Sequence, residues 1–165
     1  MHRSRLVLLG VAAVLVMGAC AQVTGGGYIA SRSGSPGKAN FGFNLTCDPS
    51  TQKISGQFQY VDKANNVSFH AKPDTMVVNL FGTWIPYQGC TADPINPEFI
   101  FFGGFYSLNG QSGSPAGRYI ISFSDQGEPG PSSGDSFCLF LDGGPYSGYE
   151  NCKPLSGGNI QMHKF

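Results

Sequence analysis

The sequence has few charged residues and no stretch with the apolar spacing of a helix. Asp, Glu, Lys and Arg together make up 12% of the chain, and no cluster of Lys and Arg follows residue 5. Binding to nucleic acid requires a basic patch, so nucleic acid is not expected as a partner. Disorder is not expected either, because aromatic residues make up 13% of the chain and can supply a core.

The N-terminus has the pattern of a bacterial export signal. His2, Arg3 and Arg5 form a basic segment, and Leu6 to Met17 form an apolar segment too short to span a bilayer. Residues 1–21 are therefore predicted to be a signal peptide. Its removal leaves eight basic residues against ten acidic ones, a net charge of −2.

Two cleavage sites fit this signal, and the sequence leaves both open. Met17-Gly18-Ala19-Cys20 resembles a lipoprotein box, in which Cys20 is lipidated and becomes the new N-terminus. Ala19-Cys20-Ala21 also fits an A-x-A site cut after Ala21. The protein is expected to be secreted or lipid-anchored at the cell envelope, with membrane contact only through that anchor.

The four remaining cysteines predict disulfides. Cys47, Cys90, Cys138 and Cys152 are an even number in an exported chain. Three pairings are possible, and we favour Cys47–Cys90 with Cys138–Cys152; four buried thiols are the alternative. No C-x-x-C or Cys/His spacing indicates zinc.

Alternating apolar residues predict a single all-β domain over 22–165. Phe41, Phe43 and Leu45 share one strand face, and turn residues separate such segments at roughly 10–15-residue spacing. The short links predict an antiparallel meander closed as an up-and-down or flattened β-barrel, with a β-sandwich as the alternative. Closure would pair Gly26-Gly27-Tyr28-Ile29 with the C-terminal segment 157–165.

The segment from Glu98 to Leu108 is almost continuously apolar. Such a run predicts a strand covered on both faces, and Gly103-Gly104 within it predicts a bulge or bend.

Three carboxylates lie in a Gly/Pro-rich loop and allow three interpretations. Asp125, Glu128 and Asp135 could supply oxygen ligands to calcium, with Asp62 from another turn, although the spacing fits neither an EF-hand nor a calcium-binding repeat. They could instead flank a sugar bond as a hydrolase pair. Turn chemistry alone also explains them, with Asp125 bonding its own backbone.

The same loop contains Gly130-Pro131-Ser132-Ser133-Gly134, which has the letters G-x-S-x-G. A nucleophile elbow requires a strand before the serine and a helix after it, whereas here a strand follows. His70 and His163 are the mature chain's histidines, and both are expected on outward strand faces. No catalytic residue is predicted.

Aromatic residues in loop-like contexts are candidates for ligand binding. Trp84, Tyr87, Tyr146 and Tyr149 lie among glycines and prolines. Exposed rings can stack on sugars or anchor a protein partner. The alternative is that they cap the ends of the barrel core.

Several segments resemble the post-COAP family of secreted, often actinobacterial, proteins. The resemblance covers roughly Gly25 to the C-terminus. The most specific segments are Asp125 to Gly130 with Asp135-Ser136-Phe137, and the ending Gly157 to His163. The resemblance implies an extracellular β-rich accessory domain of unknown activity. The four cysteines and the absence of a neighbouring domain depart from the family pattern.

These observations predict an exported, non-enzymatic β domain that binds a protein, a glycan or a small ligand. One alternative is a small extracellular hydrolase using Asp125, Glu128 or Asp135. The other is a barrel that carries an apolar ligand inside, which the aromatic run Phe99–Phe105 would permit.

Overall fold

The computed structural model describes residues 21–32, 36–48, 51, 53–80, 83–87, 99–109 and 114–163. At residue 21 and over 74–80, 83–87 and 99–101 the description covers the backbone alone. The elements in these ranges are β1 (Ala21–Ala30), β2 (Lys38–Asp48), β3 (Lys53–Asp62), β4 (Val67–Leu80), β5 (Thr83–Tyr87), β6 (Phe99–Leu108), β7 (Gly117–Ser124), α1 (Gly130–Ser133), β8 (Ser136–Asp142) and β9 (Glu150–His163). Lys63–Asn65 and Gly144–Tyr146 form single 3-10 turns.

Eight of these strands form a closed antiparallel barrel. Each pairs with the next along the chain, in the order β1, β2, β3, β4, β6, β7, β8 and β9, and β9 pairs back with β1. The ninth strand, β5, lies outside the ring and pairs with the second half of β4. The predicted all-β meander barrel is confirmed, and the sandwich alternative is wrong.

Glycine-rich segments of β1 and β9 close the barrel, as the sequence predicts. Gly27 pairs with Gly158, and Tyr28 pairs with Gly157. A Cβ atom on Gly27 would collide with the Gly157 carbonyl group, so only glycine allows the backbones to approach this closely. The Tyr28 ring lies over Gly157 and covers the strand where it lacks a side chain.

The barrel interior is filled by apolar side chains that alternate with outward polar ones. Phe41 stacks on Phe137 with ring centroids 4.2 Å apart, and Phe43 stacks on Phe123 at 4.7 Å. Burial of each ring stabilises the fold by about 1.5–3 kcal/mol. The inward face predicted for Phe41, Phe43 and Leu45 on β2 is confirmed. The same alternation buries inward residues on the other strands: Phe58, Tyr60, Tyr119, Ile121, Phe123, Phe137, Leu139, Leu141 and Ile160.

Two local expectations are corrected. The apolar run in β6 is not covered on both faces, because Phe102 and Tyr106 point inward and are buried whereas Phe105 is 48% exposed. In a closed barrel only one face of each strand meets the core. The register irregularity expected here lies opposite the two glycines, in β4 between Pro73 and Thr75.

The disulfide prediction is confirmed for Cys138–Cys152. These cysteines are direct cross-strand partners on β8 and β9, with Cα atoms 4.0 Å apart. Cys47 is also disulfide-bonded. Cys90, like the signal segment with Cys20, lies outside the described residues.

No helix in the described ranges is long and apolar enough to span a membrane.

Candidate functional site

The carboxylates of the 125–135 loop cover an open edge of β9. β8 pairs with β9 only as far as Pro154, so the following part of β9 has a strand neighbour on the β1 side alone. On the other side, the Ile160 N–H donates to Asp135 Oδ2 at 3.2 Å, and the Met162 N–H donates to Asp125 Oδ2 at 2.8 Å. Two side chains thus accept the backbone hydrogen bonds that a further strand would otherwise accept.

The second oxygen of each of these carboxylates holds the loop itself. Asp125 Oδ1 accepts from the Gly127 N–H at 3.0 Å, which is the Asx-turn expected from the sequence. Asp135 Oδ1 accepts from the Gln126 N–H at 2.9 Å and from the Ser133 hydroxyl at 3.3 Å. Asp135 is fully buried, so it acts as a structural acceptor rather than a surface group.

Gly130 allows α1 to pack directly against β9. Its N–H donates to Asn159 Oδ1 at 3.0 Å. A Cβ atom at this position would lie 2.7 Å from Asp135 Oδ2 and 2.8 Å from Asn159 Oδ1. The first glycine of the G-x-S-x-G letters is therefore explained by packing. Ser132 follows in a single helical turn with β8 after it, as expected, so the nucleophile elbow is absent.

Glu128 is exposed and holds two amide side chains of β9. Its Oε1 accepts from Asn159 Nδ2 at 2.6 Å and from Gln161 Nε2 at 2.8 Å. These two hydrogen bonds lower the pKa of Glu128 below its ordinary value. The carboxylate fixes the orientation of Asn159 and Gln161 on the outer surface of the barrel.

The calcium hypothesis for Asp125, Glu128 and Asp135 stays a prediction. Within the described ranges, no group of three His, Cys, Asp or Glu side chains is placed to hold a metal ion. Asp62, suggested as a fourth ligand, lies at the opposite end of the barrel, because β3 ends there whereas β7 ends at the loop.

Thermal unfolding in millimolar calcium and in chelator tests this hypothesis. We expect the same midpoint in both, because both oxygens of Asp125 and Asp135 already accept hydrogen bonds. A ligand that binds only the folded state raises the midpoint. A rise of several degrees that Asp125→Asn abolishes would instead establish an ion site.

Replacing Asp135 tests its role in covering the β9 edge. Asp135→Asn should lower the free energy of unfolding by about 2–4 kcal/mol, because an amide nitrogen cannot accept one of the buried hydrogen bonds. Urea unfolding measures the loss. The control is Asp142→Asn, an exposed carboxylate on β8, which should change stability by less than about 0.5 kcal/mol. Equal effects of the two substitutions would contradict the structural role.

At the other end of the barrel, the buried carboxylate of Asp62 lies in a second hydrogen-bond network. Ser31 Oγ donates to it at 2.7 Å, Asn65 Nδ2 at 2.7 Å and the Tyr149 hydroxyl at 2.7 Å. The Tyr60 hydroxyl lies 2.7 Å from that of Tyr149. The network joins the end of β1, the end of β3 and the start of β9.

The network changes the pKa values of its members in opposite directions. Burial alone would raise the pKa of Asp62, but the hydrogen bonds from Ser31, Tyr149 and Asn65 outweigh it, so the pKa is lowered. Burial raises the pKa of Tyr60 to about 12 and also raises that of Tyr149. The carboxylate therefore stays ionised and both phenols stay neutral across the physiological range.

The pH dependence of Tyr149→Phe tests this network. Because folding lowers the pKa of Asp62, its ionised carboxylate stabilises the fold at pH values above the ordinary pKa near 3.8. This stabilisation is lost as the pH falls through the lower pKa of the folded state. At pH 7 the substitution should cost about 1.5–3 kcal/mol in unfolding free energy, and the deficit should shrink below about pH 4. Tyr28→Phe is the control, since the Tyr28 hydroxyl bonds to no carboxylate among the described residues. A deficit independent of pH would contradict the network.

The candidate aromatic residues do not form one exposed cluster. Tyr149 is buried and Tyr146 is half-buried and stacks on Tyr106, with ring centroids 5.8 Å apart. Both rings cap the barrel core, as in the alternative interpretation. The side chains of Trp84 and Tyr87 lie outside the described part of the structure.

The outer surface of the barrel has a set of open depressions, bordered by polar side chains, that the sequence did not reveal. We name it the amide face; it consists of Thr24, Gly26, Gly42, Asn44, Gln57, Gln59, Asn159 and Gln161. Three depressions of about 510, 440 and 210 Å³ lie along it. The first two share Asn44 and Gln57, so they are continuous.

Two glycines form the floor of the amide face. Gly26 and Gly42 are direct cross-strand partners, and a Cβ atom on either would meet nothing within 4 Å. Next to them, the exposed side chains of Gln57 and Gln59 form no hydrogen bonds with the described part of the chain. Their donor and acceptor groups therefore face solvent. These amides were missed because their adjacency depends on strand register, which alternation within a strand does not specify.

Comparison with protein-family models, with curated proteins and with solved structures found no match to this chain. The resemblance to the post-COAP family therefore stays a prediction from the residues that carry it.

Proposed function

We propose that this protein is an exported, non-enzymatic binding module that holds a glycan on its amide face. The observation that carries the proposal is the pair of neighbouring depressions at Gly42 and Gly26, in which side-chain amides of β2, β3 and β9 are brought together. A side-chain amide both donates and accepts hydrogen bonds, as a sugar hydroxyl does. Neighbouring amides on adjacent strands can therefore bind successive hydroxyls of an extended chain.

The shape of the amide face also favours an extended ligand. Thr24, Asn44 and Gln57 lie side by side on β1, β2 and β3, and Gln161 continues this row on β9. The glycines leave the centre of the surface low, so a sugar ring can approach the backbone. Glu128 holds the Gln161 side chain in place before binding, which reduces the entropy lost on association.

The rest of the molecule supports an outer binding site over the alternatives. The interior contains rings stacked on one another, such as Phe41 on Phe137, which favours packing over an internal ligand. Asp125 and Asp135 accept hydrogen bonds from β9, which favours a structural role over acid–base catalysis. The export signal predicted at the N-terminus agrees with an envelope or extracellular glycan.

Filling the depression at Gly42 tests the proposal without disturbing the fold. Gly42→Ile places a β-branched side chain in open space at a strand position, so the unfolding free energy should stay equal or rise by up to about 1 kcal/mol. Glycan affinity should fall at least about tenfold, or about 1.4 kcal/mol. Sedimentation with insoluble cell-wall and extracellular polysaccharides, followed by calorimetry with soluble fragments, measures the binding.

Ala30→Ile is the matched control for this substitution. Ala30 is exposed at the far end of β1, about 13 Å along the strand from Gly26. It should leave glycan affinity unchanged. If no polysaccharide binds, or if both variants bind as the unaltered protein does, the proposed function is wrong.

A further inference from the structure

Phe105 is a large apolar side chain on the outer surface of the barrel. It is 48% exposed on β6, while its neighbour Tyr106 points into the core and is fully buried. Leaving this ring exposed costs free energy, because its apolar surface is not buried in the core. Aromatic residues, Phe among them, are enriched at binding surfaces relative to the rest of a protein's exterior.

A cation lies on each side of this ring. Lys72 on β4 and Arg118 on β7 are the direct cross-strand partners of Phe105. The Arg118 guanidinium carbon lies 5.8 Å from the ring centroid, within cation–π range. Asp142 is the next cross-strand partner of Arg118. Within the described residues, neither cation forms an ion pair, with Asp142 or any other carboxylate.

Lys72, Phe105 and Arg118 form a row across β4, β6 and β7. This row continues the amide face. Lys72 lines the same depressions as Asn44 and Gln57. Gln57 on β3 and Phe105 on β6 are two strand intervals apart, about 10 Å at ordinary spacing. A glycan chain bound at Asn44 and Gln57 would therefore reach Lys72 and then Phe105.

Another depression, of about 350 Å³, lies next to Phe105 and Arg118. Its lining includes Gly117, Gly143 and Gly144, together with Arg118 and the carboxylate-bearing Asp142. Phe105 is part of this lining and gives a sugar ring an apolar surface to pack against.

We propose that Phe105, Lys72 and Arg118 form a subsite for an acidic sugar, so that the ligand of the amide face is a glycan bearing carboxylates. This inference rests on the proposed function and specifies the substrate class. The apolar face of a uronic acid ring would pack on Phe105, and its carboxylate would accept hydrogen bonds from Arg118 and Lys72. An acidic peptide would use the cations equally well but has no hydroxyls for the amide face.

A pair of ligands that differ only in charge tests the subsite. A polyuronate fragment and its methyl-esterified form share one backbone, but only the free acid carries carboxylates. Calorimetry at low salt should show the free acid binding about tenfold more tightly, with the ratio falling toward one as salt screens the charges.

Three variants assign that difference to named residues. Lys72→Met and Arg118→Met keep much of each aliphatic stem, and each should weaken the free acid about threefold to tenfold and reduce the ratio between the two ligands. Phe105→Ala should weaken the free acid about tenfold. Lys63→Met, at an exposed turn at the end of β3, is the control and should change neither affinity.

The outcomes separate this inference from the proposed function. Equal affinity for the two ligands, with Gly42→Ile weakening both, would overturn the acidic subsite and leave the amide face as a glycan site. Equal competition by an oligoglutamate peptide would also overturn the subsite, because the surface would then recognise charge alone. If no glycan binds and Gly42→Ile has no effect, both proposals fail.

Discussion

The structure depends on satisfying the backbone hydrogen bonds of β9. This strand closes the barrel against β1, but it extends past the end of β8 and leaves amide groups without a strand neighbour. Asp125 and Asp135 accept from two of those amides, and the same carboxylates fix the turn of their own loop. The loop between β7 and β8 therefore takes the place of a neighbouring strand. Its Glu128 side chain accepts hydrogen bonds from Asn159 and Gln161 on the amide face.

Both ends of the barrel contain a fully buried carboxylate without a cation partner among the described residues. Asp135 lies at one end and Asp62 at the other, and each is held by amide and hydroxyl donors. Hydrogen bonds of this kind offset the cost of desolvating the charge. A chain with few charged residues can therefore use two of them as fixed acceptors that join distant strands.

The sequence predicted the barrel because its signals are local. Alternation along β2 assigned Phe41, Phe43 and Leu45 to the core, and glycines in the first and last strands predicted closure. The Asp62 network could not be predicted, because Ser31 and Tyr149 are 31 and 87 residues away in the chain. The amide face was missed for a similar reason, since it appears only when the strand registers are known. The roles of Glu128 and Asp135 also depend on β9, and the letters of the loop alone left ion binding, catalysis and turn chemistry open.

Closure of the first strand against the last also affects when the protein can fold. Gln22 pairs with His163, so contacts that span nearly the whole described chain must form before β1 has both neighbours. Barrels dominated by such distant contacts fold slowly. During synthesis from the N-terminus, β1 is made long before β9. The barrel therefore cannot close until the final strand has been synthesised.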